Sequence, residues 1–233
     1  MNDTLLLFDI DGTLLTSGHC GKNAFDRTFE KMFGIRGAWG NILPDGKTDL
    51  LITNEIARRH LGRELTLPEW ADFAERYTKH FAEESEHSIH FRTMPGAFKL
   101  LEYLSDIPHI HLAVATGNIE AVSWMKLKKV RLHSYFRCGG FGEKHANRMG
   151  ILNDAHQASQ NHFKKKFSRR KIFVIGDTRH DIDAAHKMRF RSIGVKTGTN
   201  RGDDFKIVKP HHLLDDLSDL DRFLLVLSQR FFF

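Results

Sequence analysis

The stretch Leu5-Leu6-Leu7-Phe8-Asp9-Ile10-Asp11-Gly12-Thr13-Leu14 decides the fold. Its apolar half has the length of a buried strand, and Gly12 permits a tight turn just beyond it. Two carboxylates, Asp9 and Asp11, stand between strand and turn. Charge at the end of an apolar strand is costly unless a cation or an ionic ligand uses it. Alone, an Asp-x-Asp pair reads equally well as a turn with two solvated acids. The rest of the chain has to decide.

Further strand-like segments lie at 111–115, 172–175 and 192–195, with a weaker one near 136–139. Helical periodicity separates them: 97–104 sets Phe98, Leu101 and Leu104 on one face, 119–130 follows Asn118 as a plausible N-cap, and 181–188 follows a polar turn. Strands alternating with helices predict an α/β fold, a Rossmann-like three-layer core whose parallel sheet is covered on both faces. The interval 16–93 breaks this rhythm. It reads as helical throughout, over 22–33, 50–61 and 69–85, until Met94-Pro95-Gly96 restores the alternation. The expected organisation is a core of 1–15 and 94–233 with an all-helical insert at 16–93.

In open α/β sheets ligands gather at the carboxyl ends of the strands. The second strand ends in Thr116-Gly117-Asn118, where a hydroxyl and free N–H groups at a helix start form a phosphate cradle, or where Thr116 or Asn118 merely caps the helix. The fourth ends in Gly176-Asp177-Thr178-Arg179-His180-Asp181, a gathering of hard oxygen ligands suited to Mg²⁺. All three motifs converge on one sheet edge.

Composition sets the outer bounds. Of 233 residues, 41% are hydrophobic and 27% charged, the balance of a globular protein and not of a disordered one. No apolar run approaches the roughly 20 residues that span a bilayer, and the start of the chain does not look like a leader, so a cytoplasmic setting without a membrane partner is expected. Cys20 and Cys138 are too few for a disulfide framework. The formal charge of +6 favours anionic substrates. Its sharpest cluster, Lys164-Lys165-Lys166-Phe167-Ser168-Arg169-Arg170-Lys171, reads as a solvated loop entering a strand; no aromatic stacking platform or binding motif accompanies it, which argues against a nucleic-acid partner. None of the 15 histidines falls at a metal-site spacing. The terminal Phe231-Phe232-Phe233 reads as packing on the core or on a partner.

In the order Asp-Ile-Asp-Gly-Thr (Asp9 to Thr13), Thr116, a basic residue, then Gly-Asp-Thr-x-x-Asp (Gly176 to Asp181), the chain resembles the haloacid dehalogenase superfamily over essentially its full length. The resemblance implies a Mg²⁺-dependent phosphatase in which Asp9 is the nucleophile and Asp11 the acid and base. It assigns Mg²⁺ to Asp9, the backbone carbonyl of Asp11 and Asp177, with Asp181 a further ligand or a neighbour of one. Thr116, Gly117 and Asn118, together with Gly12 and Thr13, would surround the phosphoryl group. Dehalogenases of the superfamily lack an acid at the Asp11 position, so its presence points to phosphoryl chemistry.

The basic residue of the third motif is ambiguous between Lys144 and Arg148; the latter sits where a helix-start lysine normally falls and is favoured. The resemblance makes the helical insert at 16–93 a cap domain. Within it Asp45-Gly46-Lys47-Thr48-Asp49 resembles a segment of phosphoglycolate phosphatase-like relatives, which implies that Lys47 meets an anionic group of the substrate. A turn with Thr48 as N-cap is the competing reading. The expected substrate is a small phosphorylated metabolite, phosphoglycolate-like or a sugar phosphate. The rivals are a phosphomutase, a nucleotide or nucleic-acid phosphatase, and a non-catalytic binding protein.

Overall fold

The computed structural model describes residues 3–199 and 203–228; Phe231-Phe232-Phe233 lie outside them. The strands are β1 (Thr4–Phe8), β2 (Leu15–Thr16), β3 (Arg92–Thr93), β4 (Ile110–Ala115), β5 (Gly139–Gly140), β6 (Ile172–Gly176), β7 (Arg191–Val195) and β8 (His212–Leu214). The helices are α1 (Cys20–Phe33), α2 (Asp49–Leu61), α3 (Leu67–Glu86), α4 (Ala97–Ser105), α5 (Glu120–Lys129), α6 (Arg148–Phe163), α7 (Arg179–Lys187) and α8 (Leu220–Ser228).

Six strands form one parallel sheet in the order β5-β4-β1-β6-β7-β8. The central strand β1 is paired on both sides, with Phe8 in register with Val114 and with Ile175. Both faces are apolar, as a doubly covered sheet requires. Leu6, Phe8, Val114, Phe173 and Ile175 pack towards α4 and α8, while Leu5, Leu7, Ala113, Ile172 and Val174 pack towards α6 and α7. The strand alternation therefore feeds two separate core layers. On α4 the buried face is Ala97, Leu100, Leu101 and Leu104; Phe98, expected on that face, is 41% exposed and meets Tyr135 edge-on.

Residues between β2 and β3 build a third apolar cluster. Phe25 and Phe29 of α1, Ile52 and Ile56 of α2, and Phe73, Tyr77 and Phe81 of α3 surround one another. Ile119 and Val122, at the start of α5, complete this cluster from the sheet side. Strands β2 and β3 pair antiparallel, Leu15 with Thr93 and Thr16 with Arg92, so the chain leaves and re-enters through one two-stranded neck. Among the described residues no helix is long and apolar enough to cross a membrane.

The basic run lies away from all this. Lys164 ends α6 in a left-handed conformation, Phe167 is buried, and Lys165 reaches Asp3 at 2.6 Å, beside the amino end of β1. The carboxyl edge of the sheet is at the opposite end of that strand.

Candidate active site

The last residue of β1 hands the chain to Asp9, whose N–H donates to the Ile175 carbonyl at 2.9 Å and so extends the sheet by one bond. The next residues curl tightly: Leu14 and Leu15 N–H both donate to the Ile10 carbonyl, at 2.9 and 3.0 Å. Gly12 allows this curl at φ +79°, and its bare Cα also makes space, because a Cβ there would lie 2.4 Å from Asp177 Oδ2. Thr13 Oγ1 donates to Asp177 Oδ1 at 2.9 Å. Thr13 thus holds Asp177, and Gly12 leaves it room.

Asp177 follows β6 in the same way that Asp9 follows β1. Asp9, Asp177 and Asp181 each offer an oxygen within 4.8 Å of the others'. All three are buried. Opposite them stands Arg148, brought in by the first turn of α6, which Asn147 starts by accepting the Gly150 N–H at 3.1 Å. Arg148 Nη2 lies 2.8 Å from Asp9 Oδ1, and its Nε donates to Asp181 Oδ1 at 2.6 Å. The other Asp181 oxygen accepts from the Thr178 hydroxyl at 2.8 Å and caps α7. Both oxygens of Asp181 are therefore used within the protein. Asp9, Asp177 and Arg148 line the cavity, whereas Asp181 stands behind them and orients Arg148.

The electrostatics follow from the crowding. Burial drives the Asp9 carboxyl up to about 7 against the pull of Arg148, with Asp181 and Asp11 pushing the same way as burial. Asp177 is raised well above the ordinary carboxylate range by burial and by the charges of Asp9 and Asp181. For Arg148 burial pulls down, but Asp181 and Asp9 outweigh it and hold the guanidinium charged. Three acids face one cation.

This surplus of negative charge fits a hard divalent cation. The available donors are carboxylate oxygens of Asp9 and Asp177 at the cavity wall, the ligand type Mg²⁺ prefers.

Thr116 directly follows β4, its N–H donates to the Gly140 carbonyl at 3.1 Å, and the residue lines the same cavity. Asn118 does not cap α5 as expected. That helix starts one residue later, after Ile119, and the Asn118 amide instead donates to Asp11 Oδ2 at 2.6 Å and to Thr116 Oγ1 at 2.8 Å. The physical reason is Asp49, whose carboxylate accepts the Ile119 N–H at 2.8 Å and relieves Asn118 of that task.

Of the two third-motif cations, Arg148 is in the site and Lys144 is exposed, outside the cavity wall. Lys144 precedes the N-cap of α6, so the helix cannot carry it inward. Lys47 does line the cavity, but its ammonium is paired with Glu55. Thr48 caps α2 by accepting the Leu51 N–H at 3.1 Å, and Asp49 is in its first turn.

Sequence reasoning missed Lys126. It lies in the middle of α5, is buried, and its ammonium reaches Asp11 Oδ2 at 2.6 Å. The only sequence signal is a lysine three residues after Ser123 and one before Leu127, both buried, on the inner face of its helix.

The whole constellation floors a cavity of about 510 Å³. Its far wall comes from the helical interval: Phe25, Trp39, Ile52 and Tyr77, with Lys22 and Lys47.

A family model for haloacid dehalogenase-like hydrolases matches residues 6–195. A curated relative from Caldanaerobacter subterraneus, named "Putative pyrophosphatase PpaX", is 24% identical over 223 residues, covering 94% of each chain. Two solved structures share the fold. One, a predicted phosphoglycolate phosphatase from Haemophilus somnus, has a TM-score of 0.70 at 20% identity and covers 96% of this chain and 99% of its own. The other, a predicted phosphatase from Clostridium acetobutylicum, has a TM-score of 0.71 at 19% identity and covers 97% and 100%.

Proposed function

This chain belongs to the haloacid dehalogenase-like hydrolases, and on that premise we propose that it is a Mg²⁺-dependent phosphatase for a small phosphorylated metabolite, with Asp9 as nucleophile. One observation carries the proposal. Asp9 and Asp11 line a single cavity with Asp177, and Arg148 stands 2.8 Å from one Asp9 oxygen. Nucleophile, proton carrier, metal ligand and phosphate-neutralising cation are then within one site.

In the proposed reaction a carboxylate oxygen of Asp9 attacks phosphorus in line, and the bond from phosphorus to the ester oxygen breaks. Asp11 gives its proton to that departing oxygen, which leaves as an alcohol. Asp11, now a carboxylate, takes a proton from water as the water oxygen attacks the aspartyl phosphate. Inorganic phosphate departs and Asp9 is restored. Arg148 holds the Asp9 carboxylate and neutralises phosphoryl charge, while the Thr116 hydroxyl and the N–H of Gly117 receive phosphoryl oxygens. Mg²⁺, held by Asp9, the Asp11 carbonyl and Asp177, would supply further charge neutralisation. Asp181 acts through Arg148.

Residues 16–93 are proposed as the cap that closes this site and selects the substrate. An apolar cluster drawn mostly from these residues and the β2–β3 neck support that division. The cavity size is in the range of small-molecule sites. The position of Lys165 beside Asp3, at the amino edge, speaks against the basic run delivering a nucleic-acid end to Asp9.

The test is release of inorganic phosphate from a panel of phosphoglycolate, sugar phosphates, nucleotides and pyrophosphate, with and without Mg²⁺. The expected result is Mg²⁺-dependent release from at least one phosphate monoester, abolished by Asp9→Asn. Phosphate passed to a second hydroxyl of a sugar with little net release would establish a mutase instead. Turnover that survives Asp9→Asn would overturn the assignment of the nucleophile.

A further inference from the structure

Lys126 is 4% exposed, and a buried ammonium persists only with partners. Its nitrogen donates to Asp11 Oδ2 at 2.6 Å and to Asn118 Oδ1 at 2.8 Å, and lies 5.6 Å from the centre of the Phe81 ring. Asn118 closes the triangle by donating to the same Asp11 oxygen at 2.6 Å. Oδ2 of Asp11 is thus gripped from two sides. The Asp11 side chain is nonetheless 43% exposed, and the residue lines the cavity. Oδ1 carries no hydrogen bond among the described residues, so it is the oxygen presented to a ligand.

The arrangement crosses the two halves of the molecule. Lys126 and Asn118 come from the segment after β4, whereas Phe81 belongs to α3 in the helical interval. A lysine kept only for packing would have no need to meet an acid at the cavity wall. This one spends its charge on that acid.

We propose that Lys126 is a positioning residue for Asp11: with Asn118 it clamps Oδ2, leaves Oδ1 aimed at the ester oxygen, and is itself seated by Phe81. The inference rests on the phosphatase reading above. A rigidly held acid matters most when the departing oxygen is strongly basic and needs its proton early. Loss of the clamp therefore weighs more heavily on a poor leaving group than on a good one.

The experiment compares kcat/KM for phenyl phosphate and 4-nitrophenyl phosphate, in the full chain with Mg²⁺, for the wild type, Lys126→Met and Lys126→Gln. Lys126→Met is expected to lower the phenyl phosphate value at least about threefold more than the 4-nitrophenyl value. Lys126→Gln, which keeps a donor, should narrow that gap. Adding Lys126→Met to Asp11→Asn should cost little further, because both act on one step. Equal losses on the two esters, or losses that simply multiply with Asp11→Asn, would show a structural lysine and overturn the proposal. If thermal melting shows Lys126→Met unfolded, Lys126→Gln and Lys126→Arg are judged by the same leaving-group criterion. Wild type and Asp9→Asn separate the two levels. No Mg²⁺-dependent phosphate release by the wild type would sink the phosphatase reading, and undiminished turnover by Asp9→Asn would sink its nucleophile. An inactive Asp9→Asn beside equal Lys126 losses would sink only the clamp.

Discussion

Arg148 Nη2 stands 2.8 Å from Asp9 Oδ1, and neither side chain is more than 8% exposed. The same guanidinium holds Asp181 at 2.6 Å, so one cation organises two buried acids. Arg148→Ala leaves Asp9, Asp177 and Asp181 facing one another unopposed. Breaking a buried pair in this way costs about 3–5 kcal/mol, and the variant should melt well below the wild type. Its kcat should fall by roughly two orders of magnitude, the scale seen when one preorganised charge-stabilising donor is removed. Arg148→Lys keeps the charge but not the two-armed reach, and an intermediate loss is expected. Initial rates and thermal melts on the two variants check this; an active Arg148→Ala would reduce Arg148 to a structural role.

Asp9→Asn should separate activity from stability. Burial, aided by Asp181 and Asp11, pushes the Asp9 carboxyl up to about 7 despite Arg148, so its charge opposes folding at neutral pH in the absence of metal. The amide removes that charge at nearly constant volume. Turnover should vanish while the melting temperature in metal-free buffer stays level or rises, the stability–function conflict expected of a charged site. Addition of Mg²⁺ should raise the melting temperature of the wild type and raise that of the variant less, since one ligand is gone. Melting curves with and without Mg²⁺ decide it.

The parts of this molecule legible in sequence were those whose signal is local. Phe8-Asp9 and Ile175-Gly176-Asp177 each place an acid directly after an apolar strand, and the motif spacing leads to one sheet edge. The helices of the 16–93 interval announce themselves through periodicity, and one of them through its cap at Thr48. What was not legible depends on distant partners. The β2–β3 neck is two residues long, and only the pairing of Leu15 with Thr93 makes it a ribbon. Lys126 looks like any helix lysine until α3 lays Phe81 against it. Asn118 has the chemistry of a cap, and it is freed from capping by Asp49, some 70 residues earlier in the chain. Which of Arg148 and Lys144 faces the cavity depends on where α6 starts, and Arg148, in its first turn, is the one that lines it.

Acid should weaken the fold at a place remote from catalysis. His186 Nε2 and His211 Nδ1 both bond the Ser192 hydroxyl, at 3.0 and 2.8 Å, with their ring centres 4.7 Å apart. Burial lowers the pKa of each from 6.5, so the folded state prefers both rings neutral. That preference contributes stability in full above the unfolded value near 6.5. It is lost as pH falls from there through the lower folded values, because the unfolded chain binds protons first. Melting temperature should therefore drop between pH 7.5 and 5.5, and the drop should be smaller in His186→Gln/His211→Gln. An unchanged pH profile in that double variant would remove these rings from the account.

Gly117 is where the helical interval meets the proposed phosphate cradle. Its carbonyl accepts the Asp49 N–H at 2.8 Å, and the Asp49 carboxylate accepts the Ile119 N–H at 2.8 Å, so the two segments are stitched by reciprocal bonds. The approach leaves no room for a side chain: a Cβ on Gly117 would lie 2.2 Å from the Lys47 carbonyl oxygen. Backbone cannot swing aside as the tip of a side chain can, so Gly117→Ala must push the Lys47–Asp49 segment away from Thr116 and Asn118. The sheet beneath is untouched, because Gly117 follows β4 and takes no part in its pairing. The expected result is a loss of at least roughly tenfold in kcat/KM, a 1 Å misplacement being enough for more than that, with a modest change in melting temperature. Ser or Val at the same position should be worse in order of size. A fully active Gly117→Ala would mean that contact between these two segments is not needed during turnover, and the closing role proposed for residues 16–93 would fall with it.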